Sequence, residues 1–274
     1  MGVAQITGVL VEWRVSVKIY LRYFSIHLKS VMQYKMSFLL TAIGQFLVSF
    51  NVFLGVYFMF MRFHSVKGFS YSEILLCFSI VLIEFSLAEC FGRGFDTFSS
   101  TISNGEFDRI MVRPQNEILQ VLGSKIEFTR FARMIQAIIM FIYGINNSNV
   151  VWNYKKVLTI LFMIIGGTLT FTGIFIIYAA LCFFTTEGLE FMNVLTDGVR
   201  EYGKYPFSVY GKKVILFCTI VVPYALVQYY PLLYILDRNA KEWYMFLPLL
   251  ACLFLIPCYF IWKVGIKHYK STGS

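Results

Sequence analysis

The sequence is poor in charge and in the residues that catalytic sites commonly use. Only 14% of its 274 residues are charged, whereas about 25% is usual in soluble domains. The three histidines (His27, His64 and His268) lie far apart. No GxxxxGK[ST], HExxH or GxSxG pattern occurs, so the common nucleotide, zinc and acyl-transfer signatures are absent. We therefore expect neither catalysis nor a bound cofactor or metal on this chain.

The chain also lacks a cysteine motif, which indicates packing rather than chemistry. The six cysteines form no CxxC motif, and each lies in or beside an apolar segment. A disulfide framework or a metal site would need recognisable spacing or an oxidising outer loop. We therefore expect the cysteines to act as small packing residues.

Long apolar segments dominate what the sequence does contain. Hydrophobic residues make up 58% of the chain and aromatic residues 19%. About 20 consecutive apolar residues suffice to cross the hydrocarbon of a bilayer. The sequence therefore predicts an all-α polytopic membrane protein with six transmembrane helices, at residues 36–61, 72–91, 131–145, 157–184, 214–236 and 244–262.

Two prolines interrupt the fifth predicted span, at Pro223 and Pro231. Proline removes a backbone donor and breaks a helix. Broken helices are tolerated at membrane depth only where protein or water satisfies the freed backbone groups. We therefore expect a re-entrant element near the outer end of this span.

The positions of the 24 Lys and Arg residues indicate the orientation. With both termini inside, eighteen of them lie on the cytoplasmic side and six on outer connections, as the positive-inside rule requires. Trp152, Trp243 and Trp262 flank predicted spans, where tryptophan is typical of headgroup depth. The sequence thus predicts a multi-pass protein of the cell membrane with both termini cytoplasmic. The net charge of +9 follows from this topology and indicates no nucleic-acid partner.

The segment before the first span has a basic amphipathic pattern. Within about 12–35, basic residues lie in a narrow arc at helical spacing, while large apolar residues lie opposite. This pattern is typical of a helix on the inner leaflet. We therefore divide the chain into an N-terminal amphipathic helix, 1–35, and a transmembrane domain, 36–274.

A charged segment rich in turn residues separates the second and third spans. Charged side chains cannot lie idle in hydrocarbon, so this segment lies in water or against another protein. Charges alternate with Phe107, Ile110 and Met111, which favours contact with a partner over a solvated loop. The candidate contact residues are Ser103, Asn104, Gly105, Glu106, Phe107, Asp108, Arg109, Ile110, Arg113 and Pro114.

The predicted connection between the fourth and fifth spans, 185–213, also mixes charged and apolar residues. It provides either a second surface for the same partner or a solvated extension of the fourth helix. Both interpretations stay open. The charged candidates are Glu187, Glu190, Asp197 and Arg200.

Polar residues inside the predicted spans are costly and therefore informative. Glu84 lies near the middle of the second span, where it is either a cation or proton site facing a cavity or a partner in interhelical hydrogen bonds. Glu89 and Arg93 are spaced for an ion pair one helical turn apart. The polar residues on neighbouring spans that could face Glu84 are Gln45, Asn51 and Gln136.

Taken together, the amphipathic helix, the six spans and several short motifs resemble a permease subunit of the type-2 ABC exporters. The motifs are Gly105-Glu106-Phe107-Asp108 to Arg113-Pro114, then Tyr205-Pro206, Tyr210, Val222-Pro223 and Tyr230-Pro231. More narrowly, the chain resembles the viologen-exporter-type permeases. The resemblance implies that 1–35 is an elbow helix and that the insert, at about 96–127, couples to an ATPase.

The resemblance further implies ATPase subunits that carry ATP and Mg, and a second permease in a homodimer or a heterodimer within the bilayer. On this hypothesis the chain forms part of an ATP-driven export pathway. Two alternatives stay open: an ion-coupled carrier or channel that uses Glu84, and a membrane scaffold without transport.

Overall fold

The computed structural model describes residues 2–185, 189–238 and 241–271, with side chains from residue 17 onward. The described residues are predominantly helical and contain no β-strand. The long helices are α1 (Gly2–Gln33), α2 (Lys35–Phe63), α3 (Tyr71–Asp96), α7 (Arg130–Asn147) and α8 (Tyr154–Leu181). The shorter ones are α4 (Phe98–Ser103), α5 (Glu106–Val112), α6 (Glu117–Ser124), α9 (Asp197–Tyr202), α10 (Lys212–Ile220), α11 (Tyr230–Ile235), α12 (Leu247–Ala251) and α13 (Leu255–His268).

Four helical segments in the described part of the chain are long and apolar enough to cross a membrane: Lys35–Phe63, Tyr71–Ser103, Tyr154–Leu181 and Glu242–His268. A fifth is added if α10 and the helical segment Ala225–Ile235 count as one bent span. The prediction of an all-α, multi-pass protein is therefore confirmed, and the described residues contain four or five candidate spans, while the predicted number of six is not confirmed. The predicted third span falls on α7, which is not in this set. Its first turn contains Arg130 and Arg133.

Helix α3 lies at the centre of the fold. Ser70 and Glu73 form a capping box, in which the Ser70 hydroxyl accepts from the Glu73 backbone N–H at 3.4 Å. Nearly all of α3 is buried, mainly against α7 and α8. A helix that is apolar on every side is expected to lie inside a bundle. By contrast, α2 exposes most of its apolar surface.

Helix α1 ends at Gln33, and Tyr34 separates it from α2. Its apolar side chains Tyr20, Phe24 and Val31 pack around Cys90, Ile126 and Phe128, while Lys18, Arg22 and Lys29 are exposed. The apolar face of the predicted amphipathic helix therefore contacts the protein itself. The position of this helix on a membrane stays a prediction.

The predicted fifth span is broken at one proline only. Helix α10 and the segment Ala225–Ile235 meet at 104°, with Pro223 in the turn between them. The expected break at Pro231 is wrong, because a π-helical turn (Ala225–Tyr229) runs directly into α11 there. A π turn changes the local hydrogen-bond register and so accommodates a residue without an N–H.

The segment before α10 runs along α3 toward the N-terminal end of that helix. The Arg200 guanidinium lies 5.1 Å from the Phe85 ring centre, and the Cys77 thiol, eight residues nearer the start of α3, donates to the Gly203 carbonyl. Eight helical residues correspond to about 12 Å. Beyond the start of α3, the Lys67 ammonium donates to the Ser208 carbonyl at 3.0 Å.

This contact corrects the predicted topology. Residues 62–67 were expected outside and 185–213 in the cytoplasm, yet Lys67 and Ser208 touch. The whole of 185–213 therefore cannot be a cytoplasmic connection. Sequence windows missed this course because the segment consists of short helical turns, namely Leu189–Val194, α9 and Phe207–Tyr210, rather than one apolar helix.

Candidate functional site

The predicted insert folds as three short helices, α4, α5 and α6. Gly105 adopts a φ of 67° immediately before α5, a left-handed conformation that glycine takes without steric cost. The Asn116 side chain accepts from the backbone N–H groups of Ile118 and Leu119 and so caps α6. Turn-forming residues thus separate the helices at the positions where the sequence is charged and polar.

Phe107 holds the insert from inside. Its side chain is fully buried, with its ring centre 5.4 Å from that of Phe98 and 5.0 Å from that of Phe183. Trp262 completes the cluster and is also fully buried, so it packs within the protein, and its depth in a membrane stays a prediction. Phe107 is therefore not available as a direct partner contact in this structure. In the sequence, Phe107 is simply an aromatic residue flanked by charges. Nothing there indicates that its packing partners belong to the same chain.

The C-terminal segment forms hydrogen bonds with α5, the helix that contains Phe107. Asp108 accepts hydrogen bonds from the Tyr269 hydroxyl at 2.9 Å and the Ser271 hydroxyl at 2.6 Å. These two bonds lower the pKa of Asp108 below its usual 3.8. Burial and the bond to Asp108 raise the pKa of Tyr269 to about 12. At neutral pH the carboxylate is therefore ionised and the phenol protonated, as this bonding requires.

Helix α6 joins the insert to the termini. The His27 imidazole lies 3.0 Å from the Gly123 carbonyl, and a Cβ at Gly123 would come within 2.6 Å of the Tyr23 ring. On its other side, Glu117 forms an ion pair with Lys263 of α13. The insert is therefore packed against both ends of the chain rather than hanging as a free loop.

What remains exposed is the C-terminal end of α5. Val112 is 84% exposed and Met111 is 50% exposed. Arg109, Arg113 and Pro114 are exposed beside them. At the start of α5 and just before it, Glu106, Ser103 and Asn104 are also exposed. We call residues 109–114 the tip of the insert. Its exposed apolar side chains lie among charges, as expected of a contact surface.

A buried ionic cluster lies directly behind the insert, and we call it the junction. Glu89 pairs with Arg133 at 2.5 Å and with Arg130 at 3.4 Å, while Gln45 accepts from both arginines at 2.8 Å. Arg93 is 3.5 Å from Glu89, which confirms the predicted pair. Arg93 also pairs with Asp96 and Glu127. The sequence did not predict the remaining partners, although Arg130 and Arg133, spaced three apart at a helix start, were the available signal.

The four candidate pathway residues do not come together. Gln45 belongs to the junction, Asn51 is exposed, and the amide nitrogen of Gln136 is directed at the Met140 sulfur. Glu84 is 2% exposed, and its Oε1 has no hydrogen-bond partner. A Cβ at Gly167 would overlap the Glu84 carboxyl group, so α3 and α8 pack tightly there. The expected hydrogen bonds from Glu84 to Gln45, Asn51 or Gln136 are therefore absent.

The second candidate surface is only partly exposed. Glu187 lies outside the described residues, while Glu190 and Asp197 are exposed. Arg200 instead turns inward over Phe85, because an arginine above an aromatic face is favourable and its other neighbours, Asp197 and Glu201, neutralise it. The contacts of the Arg200 guanidinium are thus made within the chain.

The described residues contain no group of three His, Cys, Asp or Glu side chains that could hold a metal ion. The six cysteines are all free, and five of them are buried.

Comparison with known proteins adds one finding. A family model described as ABC-2 family transporter protein matches residues 46–273. This range covers more than four-fifths of the chain and contains the insert and every ionic residue of the junction. No curated protein and no solved structure matches the chain.

Proposed function

The chain belongs to the ABC-2 family of transporter proteins, and from this premise we propose that two such permeases form an export pathway driven by separate ATPase subunits. The family identifies the chain as a membrane permease of an ABC transporter. The resemblance is confirmed at that level, while the viologen-exporter branch, the second permease and the direction of transport belong to the proposal. ATP and Mg then bind the partner ATPase and not this chain.

The shape of the insert carries this proposal. Phe107 and Asp108 anchor it from behind, so the tip presents Met111 and Val112 on a supported surface. Exposed aliphatic residues ringed by charge are typical of the centre of a protein interface. The residues Ser103 to Ile110, for which a coupling role was proposed, therefore fall into two groups. The buried residues support the insert, and the exposed ones, with Arg113 and Pro114, contact the ATPase.

A charge placed at the tip tests this assignment. Val112→Asp should weaken retention of the ATPase by about tenfold or more, because a carboxylate would be desolvated at the centre of the contact. Val151 offers a matched control, since it is 78% exposed on a predicted outer connection. Val151→Asp should leave retention unchanged. Equal retention by both variants, with both folded, would contradict coupling through the tip.

We further propose that 212–235 is a re-entrant hairpin and that 189–210 is the fifth crossing. Two contacts support this course. Before the hairpin Ser208 contacts Lys67, and after it Arg238 donates to the Gly68 carbonyl at 2.7 Å. Between them, the Tyr224 hydroxyl donates to the Leu195 carbonyl deep in the bundle. The hairpin therefore enters and leaves at the same end of the molecule.

The proposed orientation places the insert and both termini in the cytoplasm, with Lys67, Ser208 and Arg238 outside. Lys212 and Lys213 then move to the outer side, yet most basic residues remain inside. Glu190 and Asp197 lie in the first part of the fifth crossing, at the insert end of α3, and remain candidates for a second ATPase contact. The ion-coupled carrier that uses Glu84 is less supported, because the carboxyl group packs against Gly167 rather than facing a cavity among the described residues.

A further inference from the structure

A cleft of about 320 Å³ separates the insert from α1. Tyr23 of α1 forms one wall, and residues of α4, α5 and α6 form the others. Glu106 and Arg109 of α5 line it one helical turn apart, and Arg113, directly after α5, lines it as well. Lys125 follows α6 at the rim. The cleft therefore has a fixed shape, because the helices that line it are packed to one another.

The cleft carries an excess of positive charge. Arg109, Arg113 and Lys125 form no ion pair with the described residues, and Glu106 is the one carboxylate that lines it. The neighbouring junction differs, since each of its arginines is paired with carboxylates. Two arginines and a lysine around a cavity favour an anion, and guanidinium groups suit the geometry of phosphate.

The environment of Gln120 favours a ligand that also donates hydrogen bonds. It is 3% exposed, and its amide nitrogen donates to the carbonyls of Ile110 and Gln115, both at 3.1 Å. These bonds fix the amide, so Oε1 is left as a buried acceptor without a partner. An unsatisfied buried acceptor is costly. A bare phosphate accepts bonds from the cations but offers little to Gln120 or Glu106.

We propose that this cleft binds the headgroup of an anionic glycerophospholipid whose phosphodiester substituent bears hydroxyl or ammonium donors. The phosphate lies among Arg109, Arg113 and Lys125, and the donors face Gln120 and Glu106. A lipid is favoured over an acidic side chain of the ATPase, because a carboxylate would bring no donors. Basic pockets on the cytoplasmic side of membrane proteins are a known class of lipid site.

This inference rests on the proposed function in one respect, since it places the insert and α1 at the inner leaflet. A bound lipid would then bridge α1 and the coupling insert and would stabilise their contact. The lipid would thus link the composition of the leaflet to the part of the permease that contacts the ATPase.

The test uses the purified full-length permease without ATPase, titrated in detergent with short-chain phosphatidylglycerol. Replacing Arg109, Arg113 and Lys125 together by Gln should weaken binding by about tenfold or more, since each surface cation contributes about 1 kcal/mol and 1.4 kcal/mol is tenfold. The matched control replaces Arg22, Lys29 and Lys35 by Gln, because these residues, two in α1 and one at the start of α2, are exposed and line no part of the cleft. The control should bind as the unmodified protein does.

Two further ligands separate the sources of the phosphate. Phosphatidylmethanol has the same charge but no donor, so it should bind more weakly than phosphatidylglycerol, and Glu106→Ala should reduce that preference. Inorganic phosphate should compete poorly. If it competes fully, the site is one for free phosphate and the lipid proposal is wrong.

Equal lipid binding by the triple variant and the control would overturn the proposal, provided that both elute as folded protein. If the triple variant keeps lipid binding but loses the ATPase, Arg109 and Arg113 serve the ATPase contact alone and the lipid proposal is wrong. Failure of the proposed function would appear separately, as unchanged ATPase retention in Val112→Asp.

Discussion

The two ends of α3 hold the molecule together in different ways. At the insert end, Glu89 and its arginine partners form one network, with the Glu89, Arg130 and Arg133 side chains all less than 10% exposed. At the opposite end the ion pairs are separate. Glu73 pairs with Arg238, while Lys156 and Lys155 each pair with one exposed carboxylate, those of Asp237 and Glu242.

The difference indicates which end moves as a unit. Breaking one member of a buried ionic network leaves the others uncompensated, which is strongly destabilising. An exposed pair exchanges its partner for water at little cost. We therefore expect the junction to carry movements of the insert into the spans as a rigid joint, while contacts at the opposite end open one at a time.

Removing the central carboxylate should give the largest effect. Glu89→Gln would leave Arg130 and Arg133 buried with too little negative charge, which should cost about 3–5 kcal/mol of stability. Thermal unfolding in detergent measures it. Glu127→Gln is the control within the same network, because that side chain is 26% exposed and should lose less. Equal losses would show that burial does not decide the strength of the junction.

Phe107→Ala should come next, because it removes a fully buried ring from the cluster behind the insert. We expect a loss of about 3 kcal/mol, the lower end for such truncations, since the neighbouring aromatic rings can partly fill the space. Met111→Ala, at a half-exposed position on the same helix, should cost less than about 1 kcal/mol. A larger effect at Met111 in the isolated permease would mean that the tip, not Phe107, anchors the insert.

At the opposite end, Asp237→Asn should cost only about 1 kcal/mol. The Lys156 ammonium is buried, but Asp237 is 64% exposed, so water reaches the pair from the Asp237 side, and the Asn amide oxygen can still accept from Lys156. Glu242→Gln should cause no measurable change, because its partner Lys155 lies at the surface. The same unfolding assay applies, and a loss at Asp237 as large as that at Glu89 would remove the contrast between the two ends.

Glu84→Gln should have the smallest effect on transport. Gln keeps the volume and hydrogen-bonding capacity that packing against Gly167 requires, so most activity in reconstituted vesicles should remain. Transport should also survive an ionophore and stop when the partner ATPase is inactivated. Loss of activity in Glu84→Gln, together with sensitivity to the ionophore, would favour the ion-coupled carrier.

The sequence predicted the helical, multi-pass architecture because hydropathy depends on local composition. It also located the insert, since charges between apolar runs must leave the hydrocarbon. It failed where long-range packing decides. Nothing near Phe107 indicated that Phe183 and Trp262 would enclose it, and nothing near Ser208 indicated that it would reach Lys67.

The junction shows the same limit. The spacing of Glu89 and Arg93 predicted one pair, because both lie on one helix. Arg130 and Arg133 join them from another helix, and Gln45 from a third, so only the packing of α2, α3 and α7 reveals the network.

The most direct measurement of coupling through the insert is the reactivity of a cysteine at position 112 with a membrane-impermeant maleimide. The account predicts no labelling in intact cells, labelling in inside-out vesicles stripped of ATPase, and protection when the ATPase is restored. The unmodified protein, whose cysteines are largely buried, gives the background. Labelling in intact cells, or equal labelling with and without bound ATPase, would contradict the account.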